Sequence, residues 1–384
     1  MAFQGSDVQN AIYVSGESAW PISPDEWEAR AAEKLDSGPF DYIAGGAGSE
    51  ATMRANLEAF ERRRLRPRML TGNRVREISV DVLGTHSPAP FLLAPIGVLS
   101  IAHSEGELAV ARAAAATGVP MVLSSAASHS LEEVAEAMGE APRWFQLYWV
   151  NDREVAVSLV RRAEAAGYAA LVVTLDTLTL GWRPRDLQRA YLPFVTGEGC
   201  AQFFSDPVFR SRLDRPPEED LLAAAVAMLA TFPNLGLTWD DLVWLRGRTE
   251  MPLLVKGVLT GEDAVRARDC GVDGIVVSNH GGRQVDGAVA ALDALVEVRH
   301  ALGREAVVLM DGGIRRGGDV LKALALGADA VLLGRPYAYG LAVGGQEGVE
   351  TVIRHLMAET DLTLALVGGT RASDLDSSWI AASS

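Results

Sequence analysis

Cysteine is almost missing from this chain. Cys200 and Cys270 are the only two in 384 residues, far apart and at no metal-ligand spacing. That excludes a disulfide framework and points to a reducing, cytoplasmic setting. Basic charge is also in deficit, with 35 Lys and Arg against 50 Asp and Glu and a formal net charge of −15. Nucleic acids and anionic membrane surfaces attract basic patches, so neither is an expected partner. An anionic small molecule would have to be gripped by local Arg and Lys, against the overall field. Long apolar runs are lacking too: none reaches the ~18 residues of a membrane span. The N-terminus has no basic region followed by an apolar stretch, so no secretory signal is expected, and the final Ala-Ala-Ser-Ser is not a peroxisomal address. What the chain does have is core, with 48% hydrophobic and 22% charged residues. That rules out global disorder and suffices for one large α/β barrel or two ordinary domains.

Residues 1–22 read as a loosely structured arm. Ser23-Pro24-Asp25-Glu26 then signals a helix running to about Leu35, with Ser23 as N-cap and Glu26 closing a capping box. A second helix is expected over 50–63. From Pro90 onward, apolar strands alternate with amphipathic helices. Strands are expected at 91–96, 121–124, 144–149, 171–175, 253–256, 275–278, 307–310 and 331–333. Helices at 105–116, 153–166, 263–269, 292–301 and 318–326 fall between them, ending at Gly118, Gly167, Gly271, Gly303 and Gly327 as C-caps should. Eight such units predict an α/β fold, a (β/α)8 TIM barrel with an N-terminal helical extension. A doubly wound sheet usually carries a Gly-rich turn after its first strand, and Ala94-Pro95-Ile96-Gly97 is no GxGxxG. The expected layout is one domain: an arm over 1–75, a barrel over 76–368 and a tail over 369–384. One stretch after the fourth strand, 184–237, exceeds an ordinary loop and is expected to overhang the active-site face as a lid, with a short helix at 221–229.

The chemistry centres on Ser278-Asn279-His280-Gly281-Gly282-Arg283-Gln284, placed at the end of the buried strand that begins at Ile275. His280 can exchange a proton near neutral pH, Arg283 can grip a carboxylate or phosphate, and the glycines let a ligand approach the backbone. In a barrel, strand C-terminal ends converge on one site. Those ends carry Pro95, Ile96, Gly97, Ser124, Gln146, Tyr148, Thr174, Asp176, Lys256, His280, Arg283, Asp311, Gly312, Gly313, Gly334 and Arg335. The glycine loops after the seventh and eighth strands, with Arg335, have the makeup of a phosphate site.

The run 278–284, together with Thr174-Leu175-Asp176-Thr177, Gln146-Leu147-Tyr148, Asp311-Gly312-Gly313-Ile314-Arg315 and Gly334-Arg335-Pro336, resembles the FMN-dependent L-2-hydroxy acid oxidase/dehydrogenase family. The likeness extends in order from about Asp41 to Gly345. Within the family, Gly181-Trp182-Arg183-Pro184-Arg185-Asp186-Leu187, Asp206-Pro207-Val208-Phe209 and Gly97 most resemble the lactate 2-monooxygenase branch. The resemblance implies FMN as cofactor, a small 2-hydroxy acid and O2 as reactants, and a homotetramer or homo-octamer. It implies His280 as proton acceptor and Asp176 as its orienting partner. Arg183, Arg283 and Tyr42 would bind the substrate carboxylate, and Tyr148 the substrate hydroxyl. Lys256 would face the flavin N1/O2 edge. Ser124, Gln146, Thr174, Ser278 and the backbone of Pro95, Ile96 and Gly97 would hold the ring and ribityl chain; Asp311, Gly313, Arg315, Gly334 and Arg335 would hold the ribityl end and phosphate. Plainer alternatives stand beside these roles: Tyr148 as core aromatic, Ser124 and Thr174 as partners of strand-end backbone, Asp176 as a helix cap, Arg185 and Asp186 as an ion pair within the lid. His86, His103, His129, His300 and His355 read as surface or structural residues.

The expected reaction is lactate 2-monooxygenase chemistry, in which keto acid and peroxide react before release to give acetate, CO2 and water. The alternatives are an oxidase releasing keto acid and H2O2, on a substrate larger than lactate because Ala126-Ala127 is small where relatives carry bulk, and a non-catalytic flavin-binding protein.

Overall fold

Eight apolar segments pair into one closed sheet in the computed structural model, which describes residues 4–16 and 18–381. A short antiparallel hairpin comes first, β1 (Val80–Val82) and β2 (Thr85–Ser87). The barrel follows: β3 (Phe91–Leu93), β4 (Met121–Ser124), β5 (Arg143–Tyr148), β6 (Leu171–Thr174), β7 (Leu253–Val258), β8 (Gly274–Val277), β9 (Val307–Met310) and β10 (Ala330–Leu333). Neighbours are parallel in sequence order, and β10 closes on β3 with Val331 opposite Phe91. The strands are buried on both faces, which is why they read as continuous Val, Leu and Met runs without alternation. The first strand ends at Leu93, short of the expected 96; Pro95 has no N–H to continue a ladder. Inside the barrel, Leu92, Val122, Trp144, Val172, Leu254, Val276, Leu309 and Leu332 pack as one cluster. The hairpin plugs its floor, with Val82 in the cluster and the Trp144 indole donating to Thr85 Oγ1 at 2.8 Å.

The five expected barrel helices are present at Gly106–Thr117, Arg153–Ala165, Gly261–Asp269, Ala291–Leu302 and Gly317–Ala325. Strand register matters most for function. Ser124 lies opposite Gln146, Tyr148 opposite Thr174, and Thr174 opposite Lys256, so polar residues meet at one mouth of the barrel. Between Lys256 and Val258 the register slips. Gly257 sits there at φ +105°, where a Cβ would come within 2.6 Å of Asp176 Cβ. Only glycine lets the bulge and Asp176 share that space.

Several expectations are corrected. The N-terminal arm is helical over Gly5–Ser15, and the Gly5 N–H donates to buried Asp361 Oδ2 at 2.8 Å. Arg76 grips the same carboxylate through two nitrogens at 2.7 and 2.8 Å, so the extension is stapled to the last helix by one buried charge pair. That last helix, Arg335–Val367, breaks at Gly344 and Gly345, where Trp20 covers Gly344. Ser23 caps its helix, Pro24–Lys34, by accepting from the Glu26 N–H; the Glu26 side chain turns outward to Arg30 at 2.9 Å, so the capping box is half formed. The stretch after β6 carries the expected short helix, at Leu221–Thr231, and in addition the helices Pro184–Arg189, Ala201–Phe204 and Pro207–Arg210. Phe194, Phe203, Phe209 and Phe232 form its aromatic core. Arg185 and Asp186 do not pair with each other: Arg185 reaches Glu50 at 2.7 Å and Asp41 at 3.7 Å, while Asp186 lies 4.0 Å from Arg183. No helix of the described residues is long and apolar enough to cross a membrane. The Ala-Ala-Ser-Ser end runs past the described residues.

Candidate active site

The loop after β8 is held in a conformation that its own residues would not choose. His280 lies at φ +59°, followed by Gly281 at +62° and Gly282 at +78°. A left-handed non-glycine residue costs of order 1–3 kcal/mol and persists only where its surroundings fix it. Here they do. The His280 N–H donates to Ser278 Oγ at 3.0 Å, and the Gly282 N–H to Asn279 Oδ1 at 3.1 Å. Asn279 and Asn56 exchange amide hydrogen bonds of 2.8 and 2.7 Å, tying the loop to the helix Ala51–Arg62. A Cβ on Gly282 would meet Met53 N at 2.7 Å, so this helix and the loop are in backbone contact.

That strained turn aims the imidazole at three partners. Nδ1 lies 2.8 Å from Asp176 Oδ1 and 3.2 Å from Thr177 Oγ1, and Nε2 lies 3.3 Å from the Tyr148 hydroxyl. The Asp176 carboxylate is therefore no helix cap. Burial alone would raise its pKa, but His280, Lys256 and hydrogen bonds from His280 and Thr177 hold it at about 2. Burial lowers the His280 pKa below the ordinary 6.5, with Asp176 opposing and Lys256 assisting. At neutral pH the pair is thus an anionic carboxylate beside a neutral imidazole, the state in which Nε2 can accept a proton. Burial pushes the Tyr148 phenol up to about 12, so it stays protonated.

Cationic groups surround this dyad. Lys256 donates to Ser278 Oγ at 2.9 Å and lies 3.3 Å from Asp311 Oδ2. Burial works against its charge, but Asp311 and Asp176 raise its pKa. Arg283 donates to the carbonyls of Tyr42 and Gly45 at 2.6 and 2.9 Å, with the Tyr42 ring 5.0 Å beneath its guanidinium. It forms no ion pair among the described residues; burial, then the neighbouring Arg183, brings its pKa down to about 9. A buried guanidinium whose hydrogen bonds go only to backbone carbonyls, with Asp186 acting on it at longer range, is a ready site for a carboxylate. Arg183, itself buried, is aimed by bonds to the Arg283 carbonyl and to Gln284 Oε1, both at 3.1 Å.

A cavity of about 280 Å³ opens over these groups. Of the residues expected at the site, Tyr42, Pro95, Ile96, Gly97, Tyr148, Arg183, Lys256, His280, Arg283, Asp311, Gly313, Arg315, Gly334 and Arg335 line it. Asp176, Ser124, Gln146, Thr174 and Ser278 lie just behind the lining. Ser124 donates to Gln146 Oε1 at 3.0 Å and Gln146 to Thr174 Oγ1 at 2.8 Å, a polar ladder across three strands. Arg335 departs from the simplest picture of a phosphate fork. Its guanidinium donates to the carbonyls of Ile43, Gly281 and Gly45 at 3.1, 3.0 and 2.8 Å, clasping the His280 loop to the N-terminal segment. Three of its five N–H groups are thereby occupied.

Sequence reasoning missed the apolar side of the cavity: Phe194, Leu229, Phe232 and Pro233 from the stretch after β6, with Leu180. It also gave Thr177 no role. Phenylalanines in a long segment read equally well as core, and only the chain path brings them to the mouth.

The profile of the family described as FMN-dependent dehydrogenase matches residues 31–382. An FMN-dependent alpha-hydroxy acid dehydrogenase of Penicillium citrinum is 43% identical over 374 residues, spanning 95% of this chain and 93% of its own. An L-lactate oxidase of Nostoc sp. is 46% identical over 363 residues, 94% of this chain and 98% of its own. The crystal structure of mandelate oxidase superposes with a TM-score of 0.82 at 40% identity, covering 92% of this chain and 96% of that one.

Proposed function

The chain belongs to the FMN-dependent dehydrogenase family of flavoprotein oxidoreductases, and on that premise we propose that it oxidises an L-2-hydroxy acid with a side chain larger than that of lactate to the 2-keto acid, with O2 as electron acceptor and H2O2 as co-product. The observation that carries this is the neutral His280 imidazole at 3.3 Å from the Tyr148 hydroxyl, beside two arginines with no carboxylate closer than 4.0 Å.

The residues fit FMN. A Cβ on Gly334, which lines the cavity, would touch no protein atom within 4 Å, and it would intrude on the open space we assign to the phosphate. Gly334 precedes the helix Arg335–Val367, where Pro336 has no N–H and the Tyr337 N–H donates to the Gly334 carbonyl at 3.1 Å, so the first N–H of the helix, that of Arg335, is the one that suits an anion. Arg315 and the Gly312-Gly313 backbone supply further donors, and Lys256 is the cation for the ring edge. When bound, FMN supplies the acceptor for two electrons from substrate C2 and passes them to O2. The protein does the rest. Arg183 and Arg283 hold the carboxylate, and Tyr148 holds the hydroxyl. His280 Nε2 receives the substrate proton, and the resulting imidazolium is stabilised by Asp176 at 2.8 Å. The small Ala126 and the apolar wall leave room for a side chain beyond methyl.

A second reading is the decarboxylating monooxygenase, favoured by Gly97 and the Gly181–Leu187 run; the L-lactate oxidase likeness favours the oxidase. Anaerobic addition of L-lactate, 2-hydroxybutyrate or L-mandelate to the FMN-loaded protein, followed by air, separates them. Flavin bleaching with stoichiometric keto acid and peroxide supports the oxidase. A decarboxylated acid with CO2 and no free peroxide supports the monooxygenase. No bleaching by any of the three sinks both.

A further inference from the structure

Taking the 2-hydroxy acid oxidation above as given, we propose that Phe232 sets which substrate side chain the enzyme prefers, selecting an apolar group of branched or aromatic size. A 2-hydroxy acid carries four substituents at C2, and three directions are already assigned. The carboxylate goes to Arg183 and Arg283, the hydroxyl to Tyr148 and His280, and the hydrogen faces the cofactor. The side chain is left to face the remaining wall, which Phe194, Leu229, Phe232 and Pro233 build without a charge or a hydrogen-bonding side chain.

Phe232 holds the central place in that wall. Its ring packs edge-on against Tyr148, 5.9 Å between centroids at 71°, while Tyr148 stacks on His280 at 6.2 Å. A group on C2 of a substrate bonded to the Tyr148 hydroxyl is therefore one ring away from Phe232. Phe194 flanks it at 6.4 Å, and Phe203, fully buried, backs it at 5.6 Å. The backbone is equally fixed: the Asn151 N–H donates to Thr231 O at 2.9 Å, and Asn234 Nδ2 to the carbonyls of Trp149 and Val150, both at 3.1 Å. A rigid apolar surface discriminates by size, and a single methylene in such a pocket changes discrimination by roughly 10- to 200-fold.

The test uses FMN-loaded parent, Phe232→Leu, Phe232→Ala and, as control, Phe203→Leu, which alters the backing of the wall but not its face. Acetate and phenylacetate, which carry no hydroxyl to oxidise, are titrated by calorimetry, and kcat/KM is measured for L-lactate and L-mandelate. Phe232→Ala is expected to weaken phenylacetate about tenfold while acetate stays within about twofold. Phe232→Leu is expected to fall between, and the mandelate-to-lactate kcat/KM ratio to follow. An unchanged phenylacetate-to-acetate ratio in both Phe232 variants overturns the proposal, as does an equal change in Phe203→Leu. If no hydroxy acid reduces the parent, the functional reading fails instead; a reduced parent with unaltered ratios condemns only the role of Phe232.

Discussion

Replacing Asp176 by Asn tests the electrostatic core of the site. The substitution keeps the size of the side chain but removes a charge held 2.8 Å from His280 Nδ1. On the proposed mechanism, a proton that arrives on Nε2 in the parent creates an imidazolium beside an anion whose pKa is held at about 2. Two unit charges about 4 Å apart in an effective dielectric of about 20 attract by about 4 kcal/mol. At 1.36 kcal/mol per factor of ten, losing that attraction slows proton transfer by roughly three orders of magnitude. Arg183 and Arg283, the arginines proposed to bind the substrate carboxylate, are untouched, so affinity for an inert acid such as acetate is expected to change by less than about threefold. The assay is anaerobic stopped-flow bleaching of the flavin at saturating hydroxy acid, with acetate binding measured in parallel. A bleaching rate within about tenfold of the parent would falsify the claim that Asp176 stabilises the imidazolium. A parallel collapse of acetate binding would mean that the carboxylate serves to shape the pocket.

Three further outcomes are expected. Because burial lowers the His280 pKa and His280 must be neutral to accept a proton, kcat/KM should fall on acidification only below the ordinary 6.5 and stay flat through neutral pH; an acid limb centred above pH 7 contradicts this. Gly334→Ala should weaken FMN binding at least about tenfold, roughly the loss of one charge-assisted hydrogen bond, by placing a methyl in the cavity. Fluorescence titration of the apoprotein measures it, and unaltered affinity would move the phosphate elsewhere. Asp361→Ala strips the partner from Arg76, whose side chain is 14% exposed, and should cost about 3 kcal/mol of stability in urea unfolding. The bleaching rate should stay unchanged, and a change below about 1 kcal/mol would show the N-terminal helix to be independently held.

The sequence by itself determined the barrel and which polar residues stand at its strand ends, because both are written locally. Buried parallel strands are mostly apolar and the barrel helices stop beside a glycine, so polar residues gathered at one set of strand ends stand out, although some, such as Ser124, which accepts from the Ala126 N–H, also satisfy backbone there. Ser278–Gln284 was legible for that reason. What only the tertiary structure decided depends on groups distant in the chain. Asp176 and His280 are 104 residues apart, and their pKa values follow from burial and from Lys256, not from neighbours in sequence. Arg335 is drawn to the carbonyls of Ile43, Gly45 and Gly281, which the strained loop and the N-terminal segment present to it, a demand no pattern around residue 335 reveals. Gly5–Ser15 becomes a helix against the buried carboxylate of Asp361, 356 residues from Gly5. The phenylalanines after β6 are core or pocket according to where the chain crosses the barrel mouth, so Phe232 at the Tyr148 ring had no local signal. Local chemistry chose the residues; burial and long-range contact chose their charge states and partners.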